Sequence, residues 1–133
     1  MSRFPFLTTS QWLTILRVVL GLYMVAHGAM RVYAGTVDEF GGFLASKGFP
    51  AGVALAWSLT GFELLGGATL AIGRVVRPVA AAFALEHAFG ILLVHAPRGW
   101  FTVGHQVGGA EYSVLLLLCF LLTASTARTV ASN

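Results

Sequence analysis

Long apolar runs separated by short polar breaks organise this chain. The runs cover about residues 11–34, 51–73, 78–96 and 107–124. Each has about the length of an apolar helix that crosses a hydrocarbon core of roughly 30 Å. Within the first run, Arg17, Gly21, Met24, Gly28 and Arg31 recur at i, i+4, i+7, i+11 and i+14, which is one helical face. Arginine and glycine are poorly suited to lipid, so this face is predicted to point into a bundle, where glycine lets helices approach closely. Ala80, Ala84 and Ala88 repeat the same small-residue spacing in the third run. Between the first two runs lies GTVDEFGGFLASKGFP. There Phe40, Phe43 and Leu44 share a face flanked by Asp38, Glu39 and Lys47, which predicts a short amphipathic segment at the membrane surface. The predicted fold is all-α. It is an integral membrane four-helix bundle, up-down-up-down, with one domain over residues 1–133 and the amphipathic segment in its first loop.

Composition agrees with the pattern. Of the 133 residues 57% are hydrophobic and 10% charged, against about 25% charged in ordinary soluble domains. Mean hydropathy is +0.83. The first run is too long for a signal peptide and is interrupted by Arg17, so a retained first span is expected. A net charge of +3 could suggest nucleic acid, but the basic residues are scattered and no RNA-binding motif appears, so no nucleic-acid partner is expected. The basic residues serve orientation instead. Arg74 and Arg77 share a tight turn, and four spans would put Arg3 and Arg128 on the same side, so both termini are predicted to be cytoplasmic. A single cysteine, Cys119 in a leucine run, excludes an internal disulfide and a CxxC pair, and is read as a lipid-facing or core-packing residue.

The informative residues are the ionisable ones inside the runs. A charge at the centre of a span costs about 2.5–3.5 kcal/mol on insertion scales, so each such group needs a partner or a task. Depth counted from the span ends places Arg17, Glu63, Glu86 and His87 in a middle layer. His27, Arg31, His95, His105 and Glu111 fall in an outer one. This layering names Arg17 first and His87 second as the partner of Glu63, with Glu86 as a proton-sharing neighbour. Gly66 and Gly67 follow Glu63 by three and four residues and thin the helix on the acid's own side, for another helix or for a ligand. Arg17, His27, Glu63, Glu86, His87 and Glu111 are therefore the candidate residues of a ligand site or a buried polar network.

Other chemistries are less well supported. His27 and His95 at similar depth raise the question of bis-histidine haem, but nothing else marks a haem pocket. His27, His95 and His105 are metal-ligand types, yet there is no i, i+4 histidine pair and no HExxH, so no metal is expected. No nucleophilic triad, phosphate loop or dinucleotide fingerprint is present.

The segments LRVVLGLYMVAHGAMRVY, GFP, GFELLGGATLAIGRVVRP and GGAEYSVLLLL, in that order, resemble the DoxX family of small four-helix membrane proteins of bacteria and archaea. The resemblance implies a cell-membrane location and a link to quinone-pool redox chemistry or to oxidative and sulfur stress. It carries over Arg17, His27, Glu63 and Glu111 as pocket or network residues. Lacking a cysteine pair, an enzyme of this kind would be an oxidoreductase subunit dependent on quinone or on a redox partner. The first expectation is thus a membrane subunit binding a small amphipathic ligand, quinone-like, among its helices. Its rivals are a structural or assembly subunit, in which buried charges fix helix packing, and a metal- or small-molecule-stress protein. A partner subunit and a homo-oligomer both stay open.

Overall fold

The computed structural model describes residues 6–105 and 107–128, so Arg3 lies outside the described residues. Among these all the regular secondary structure is helical, with no strand. Five α-helices follow in order: α1 (Thr9–Tyr33), α2 (Val37–Ser46), α3 (Gly52–Ile72), α4 (Val76–Gly90) and α5 (Glu111–Thr126). A π-helical turn, Ile91–His95, and a short 3-10 turn, Ala96–Arg98, prolong α4. Three stretches are long and apolar enough to cross a membrane: Thr9–Tyr33, Gly52–Ile72 and Val76–Arg98. The fourth expected span differs. Its helix starts only at Glu111 and has 16 residues, roughly 24 Å of rise. The residues before it are held in a loop, because the amides of Gly108, Gly109, Ala110 and Glu111 donate to the carbonyls of Thr102, Phe101, Gly99 and Trp100 at 2.9–3.1 Å.

The chain divides into two compact units. One is Arg17–Arg74; the other takes the described residues up to Leu16 and from Val75 onward.

In the Arg17–Arg74 unit the predicted stripe on α1 faces α3. Gly21, Met24 and Gly28 are buried. A Cβ on Gly21 would lie 2.5 Å from the Gly67 carbonyl oxygen and 2.7 Å from the Ala71 nitrogen, and a Cβ on Gly67 would lie 2.6 Å from the Gly21 oxygen. Only glycine admits that approach, so Gly67 serves another helix and leaves no space for a ligand at that position. Gly73 has φ +82° and ends α3 in a Schellman turn. Its own amide donates to Leu70 and that of Arg74 to Thr69. Gly35, at φ +68°, ends α1 in the same way and delivers the chain through Thr36 into α2. α2 is less isolated than an amphipathic surface segment need be. It packs along the first half of α3, where Gly41 meets Val53 and Val37, Leu44 and Ala56 form a buried cluster with Phe40, Phe43 and Phe49 against it. The Trp57 indole N–H donates to Asp38 at 2.9 Å and fixes the start of α2.

In the other unit α4 and α5 pack in antiparallel fashion. Arg77 near the start of α4 donates to the Ala127 carbonyl just past the end of α5. The Phe83 and Phe120 rings are 5.3 Å apart, and Ala80 and Ala84 are buried as their spacing predicts.

Candidate functional site

The site grows from the last turn of α1 and the middle of α3. Gly28 brings the two helices together: a Cβ there would sit 3.1 Å from the Thr60 oxygen and 3.2 Å from Glu63 Cβ. One turn further along α1, Arg31 reaches across to Glu63. Its Nη1 donates to Oε2 at 2.7 Å, and Nη2 to Oε1 at 3.3 Å. Nη1 also donates to the Thr60 hydroxyl at 2.9 Å, which in turn donates to the Ala56 carbonyl at 2.8 Å. The Phe40 ring of α2 lies 4.5 Å from the guanidinium carbon, a cation–π distance. The Arg31 side chain is 13% exposed and that of Glu63 2%. A bidentate, hydrogen-bonded pair at this burial compensates both charges, and removing one member leaves the other stranded at a cost of about 3–5 kcal/mol.

This corrects the expected partnership of Glu63. Its cation is Arg31, neither Arg17 nor His87. Contacts pair Gly21 with Gly67 and Ala71, and Gly28 with Thr60, Glu63 and Leu64. On that register Glu63 is level with Gly28, and Arg17 is level with the end of α3. Along the axis Arg17 and Glu63 are about 15 Å apart at 1.5 Å per residue. The depth count failed because α1 begins two turns before Arg17, so span ends set by hydropathy alone offset the two helices.

Arg17 does something else. Its Nη1 donates to the carbonyls of Leu70 and Ala71, the last-turn oxygens that have no partner within α3. A cation there also meets the negative end of the helix dipole.

Beside the ion pair is an open pocket of about 230 Å³ lined by His27, Met30, Arg31, Ala34 and Thr36. The first four share one face of α1 at spacings of three and four, and Thr36 joins them through the Gly35 turn. The Thr36 hydroxyl lies 3.4 Å from the Arg31 carbonyl, a long hydrogen bond. Sites that enclose a drug-sized ligand measure about 300–1,000 Å³. This pocket therefore suits a head group, with the rest of the molecule outside.

The remaining candidates lie in the other unit. The His87 Nδ1–H donates to the Phe83 carbonyl at 2.8 Å, and its ring stands 5.0 Å from Phe120. Glu86 is half-buried on the same helix. The Glu111 Oε1 accepts the Thr102 amide at 2.9 Å, and the His95 Nδ1–H donates to the Gly108 carbonyl at 2.9 Å, so both help hold the loop before α5. Among the described residues no group of three or more His, Cys, Asp or Glu side chains gathers at metal-holding distance. The structure thus joins His27 and Glu63 through Arg31 and leaves Arg17 at the far end of the same helix pair. Sequence reasoning placed Arg31 on the inward stripe but left it out of the candidate site residues, and it missed Thr36, Phe40 and Thr60 there. Thr60 had a signal: it precedes Glu63 by three residues, on the acid's own face.

Three helices of this length and apolarity, with a compensated charge pair among them, define a small all-helical integral membrane protein in contact with the lipid bilayer. The chain belongs to the DoxX family, whose model matches residues 12–96, well over half of its length. The match takes in Arg17, His27, Arg31, Glu63, Glu86, His87 and His95, and Glu111 lies beyond it. No curated protein and no solved structure matches the chain.

Proposed function

We propose that the protein is a membrane subunit that holds the head group of a small amphipathic ligand, quinone-like, in the pocket of His27, Arg31 and Thr36. The observation that carries this reading is the pocket's position beside a guanidinium already fixed by Glu63 and Thr60. A preorganised donor loses little freedom when a ligand arrives. Imidazole, guanidinium and hydroxyl present polar groups, while Met30 and Ala34 supply an apolar wall for the start of a tail. The chain has one cysteine, so electron transfer would use the ligand and a redox partner. In this reading α1, α3, α4 with its extension, and α5 form one up-down-up-down domain in a bacterial or archaeal cell membrane. The Arg74/Arg77 turn and both termini face the cytoplasm. Mass spectrometry of what leaves the native membrane with the purified protein tests the site. A quinone or related neutral amphiphile retained by wild type and lost from His27→Leu is the expected result; phospholipid alone in both would end the proposal.

A second reading, a non-catalytic assembly subunit, is favoured by a different observation: Arg31, Glu63 and Thr60 satisfy one another across the α1–α3 contact, one turn from Gly28. Buried charge pairs of this kind fix register. Unchanged ligand retention in Glu63→Gln together with loss of a co-purifying partner would select it.

A further inference from the structure

The guanidinium beside the pocket is a charge already answered. Glu63 takes it with both oxygens at 2.7 and 3.3 Å, so to an incoming head group the pair is a dipole and carries no net charge. Among the described residues no other Lys or Arg lines the pocket. The nearest charges along the chain are acidic: Asp38 and Glu39 occupy the first turn of α2, directly after Thr36. What the pocket keeps is donor capacity. Arginine presents five N–H groups, and the bonds to Glu63 and Thr60 use three. The Nε–H and one Nη2–H remain on a side chain that lines the pocket together with His27 and Thr36.

We propose that Glu63 sets the ligand class of this pocket, making it select a neutral hydrogen-bond acceptor, such as a carbonyl-bearing ring, over an anion. This rests on the reading of the pocket as a ligand site. A phosphate or carboxylate would give up hydration for a cation whose field Glu63 cancels. A neutral carbonyl gives up far less and gains the same donors. A cationic head group meets a guanidinium in the wall and, in Glu63, a carboxylate that is 2% exposed with both oxygens occupied. Glu63 need not touch the ligand. It acts through Arg31, as a specificity-determining residue.

The test uses the full chain in phosphatidylcholine nanodiscs, with empty nanodiscs as the blank, and three probes sharing one tail: decyl-benzoquinone, decyl phosphate and decyl-trimethylammonium. Wild type is expected to bind the benzoquinone at least about tenfold more tightly than either charged probe. Glu63→Gln uncovers the guanidinium and is expected to tighten decyl phosphate by about tenfold or more. Because a stranded Arg31 can unfold that variant, Arg31→Gln with Glu63→Gln serves as a second, uncharged pair. It is expected to gain no affinity for the phosphate probe. Preference of wild type for either charged probe would overturn the proposal. So would a folded Glu63→Gln with unchanged selectivity, or a double variant that gains phosphate binding. Failure of all three probes to bind, or binding untouched by His27→Leu, would instead remove the pocket reading itself and this inference with it.

Discussion

Arg17 and Arg31 stand on the same face of the same helix, four turns apart, and α3 answers them in opposite ways. At Arg31 it offers a carboxylate and a hydroxyl, two side chains whose chemistry is written in their identity. At Arg17 it offers only its own end, the carbonyls of Leu70 and Ala71. A guanidinium is satisfied by either, but the energetics differ. The Arg31 pair is mutual, so each partner depends on the other to be tolerated where it is. The Arg17 contact is one-sided: without the arginine, the Leu70 carbonyl keeps the Gly73 amide and the Ala71 carbonyl turns to water or headgroups as helix ends commonly do. Two identical residues at matched spacing therefore do two jobs, one fixing where α1 and α3 lie along each other, the other closing a helix end.

The comparison can be broken most sharply at the mutual pair. Glu63→Leu should lower stability by about 3–5 kcal/mol by stranding Arg31, read as loss of helical circular dichroism on heating in nanodiscs. Adding Arg31→Met should recover most of that loss. If the double variant is no better than the single one, the pair is not mutual and the contrast with Arg17 collapses. Next in size is the close approach that sets the register for both arginines. Gly21→Val places a side chain 2.5 Å from the Gly67 oxygen and should cost about 1–3 kcal/mol or more by overpacking. It should also weaken the coupling between Arg31 and Glu63 in a double-mutant cycle, whereas full coupling would mean the glycine contact does not hold the register. Thr60→Val removes one acceptor from Arg31 and should cost about 1 kcal/mol, with the coupling of Arg31 to Glu63 kept. The smallest effect belongs to the other end. Arg17→Gln should cost about 0.3–1 kcal/mol and show as faster hydrogen exchange at Gly73 and Arg74, with α1 and α3 otherwise unchanged. A loss as large as that at Glu63 would show Arg17 to be structural in the same sense as Arg31.

Two of the three acids in the apolar helices, Glu63 and Glu111, repeat the lesson on a smaller scale. Glu63 is answered by a cation, Glu111 by a backbone amide at the first turn of α5. Both were visible in the chain as anomalies in apolar surroundings, and neither partner was. A buried acid announces that it needs compensation, because the cost of leaving it bare is a property of the acid. The identity of the compensator depends on which residue of a distant segment lies level with it.

Helical character, the membrane setting, the family and the inward stripe of α1 were legible from the residues, because periodicity and transfer energy are local and additive along a helix. The Gly21–Gly67 contact could be anticipated in kind, since glycine on an interior face permits close approach wherever its partner is. Register was not legible. Hydropathy marks a span's ends only to within a turn or two, and apolar residues slide past one another at little cost. The offset between α1 and α3 was therefore decided by glycine contacts and by one ion pair, interactions that exist only once both helices are side by side. The same holds for the pocket at Arg31. His27, Met30, Arg31 and Ala34 share a face by sequence alone, but the Gly35 turn that adds Thr36 and the carboxylate that neutralises Arg31 come from the folded chain. The loop before α5 is a third instance: a run apolar enough to be read as a span start is instead folded by backbone hydrogen bonds to residues 99–102, because Gly108 and Gly109 make the bend cheaper than another turn of helix. What the chain determined by itself was which residues needed partners; the tertiary structure decided who those partners are, since level and distance between helices are properties of neither helix alone.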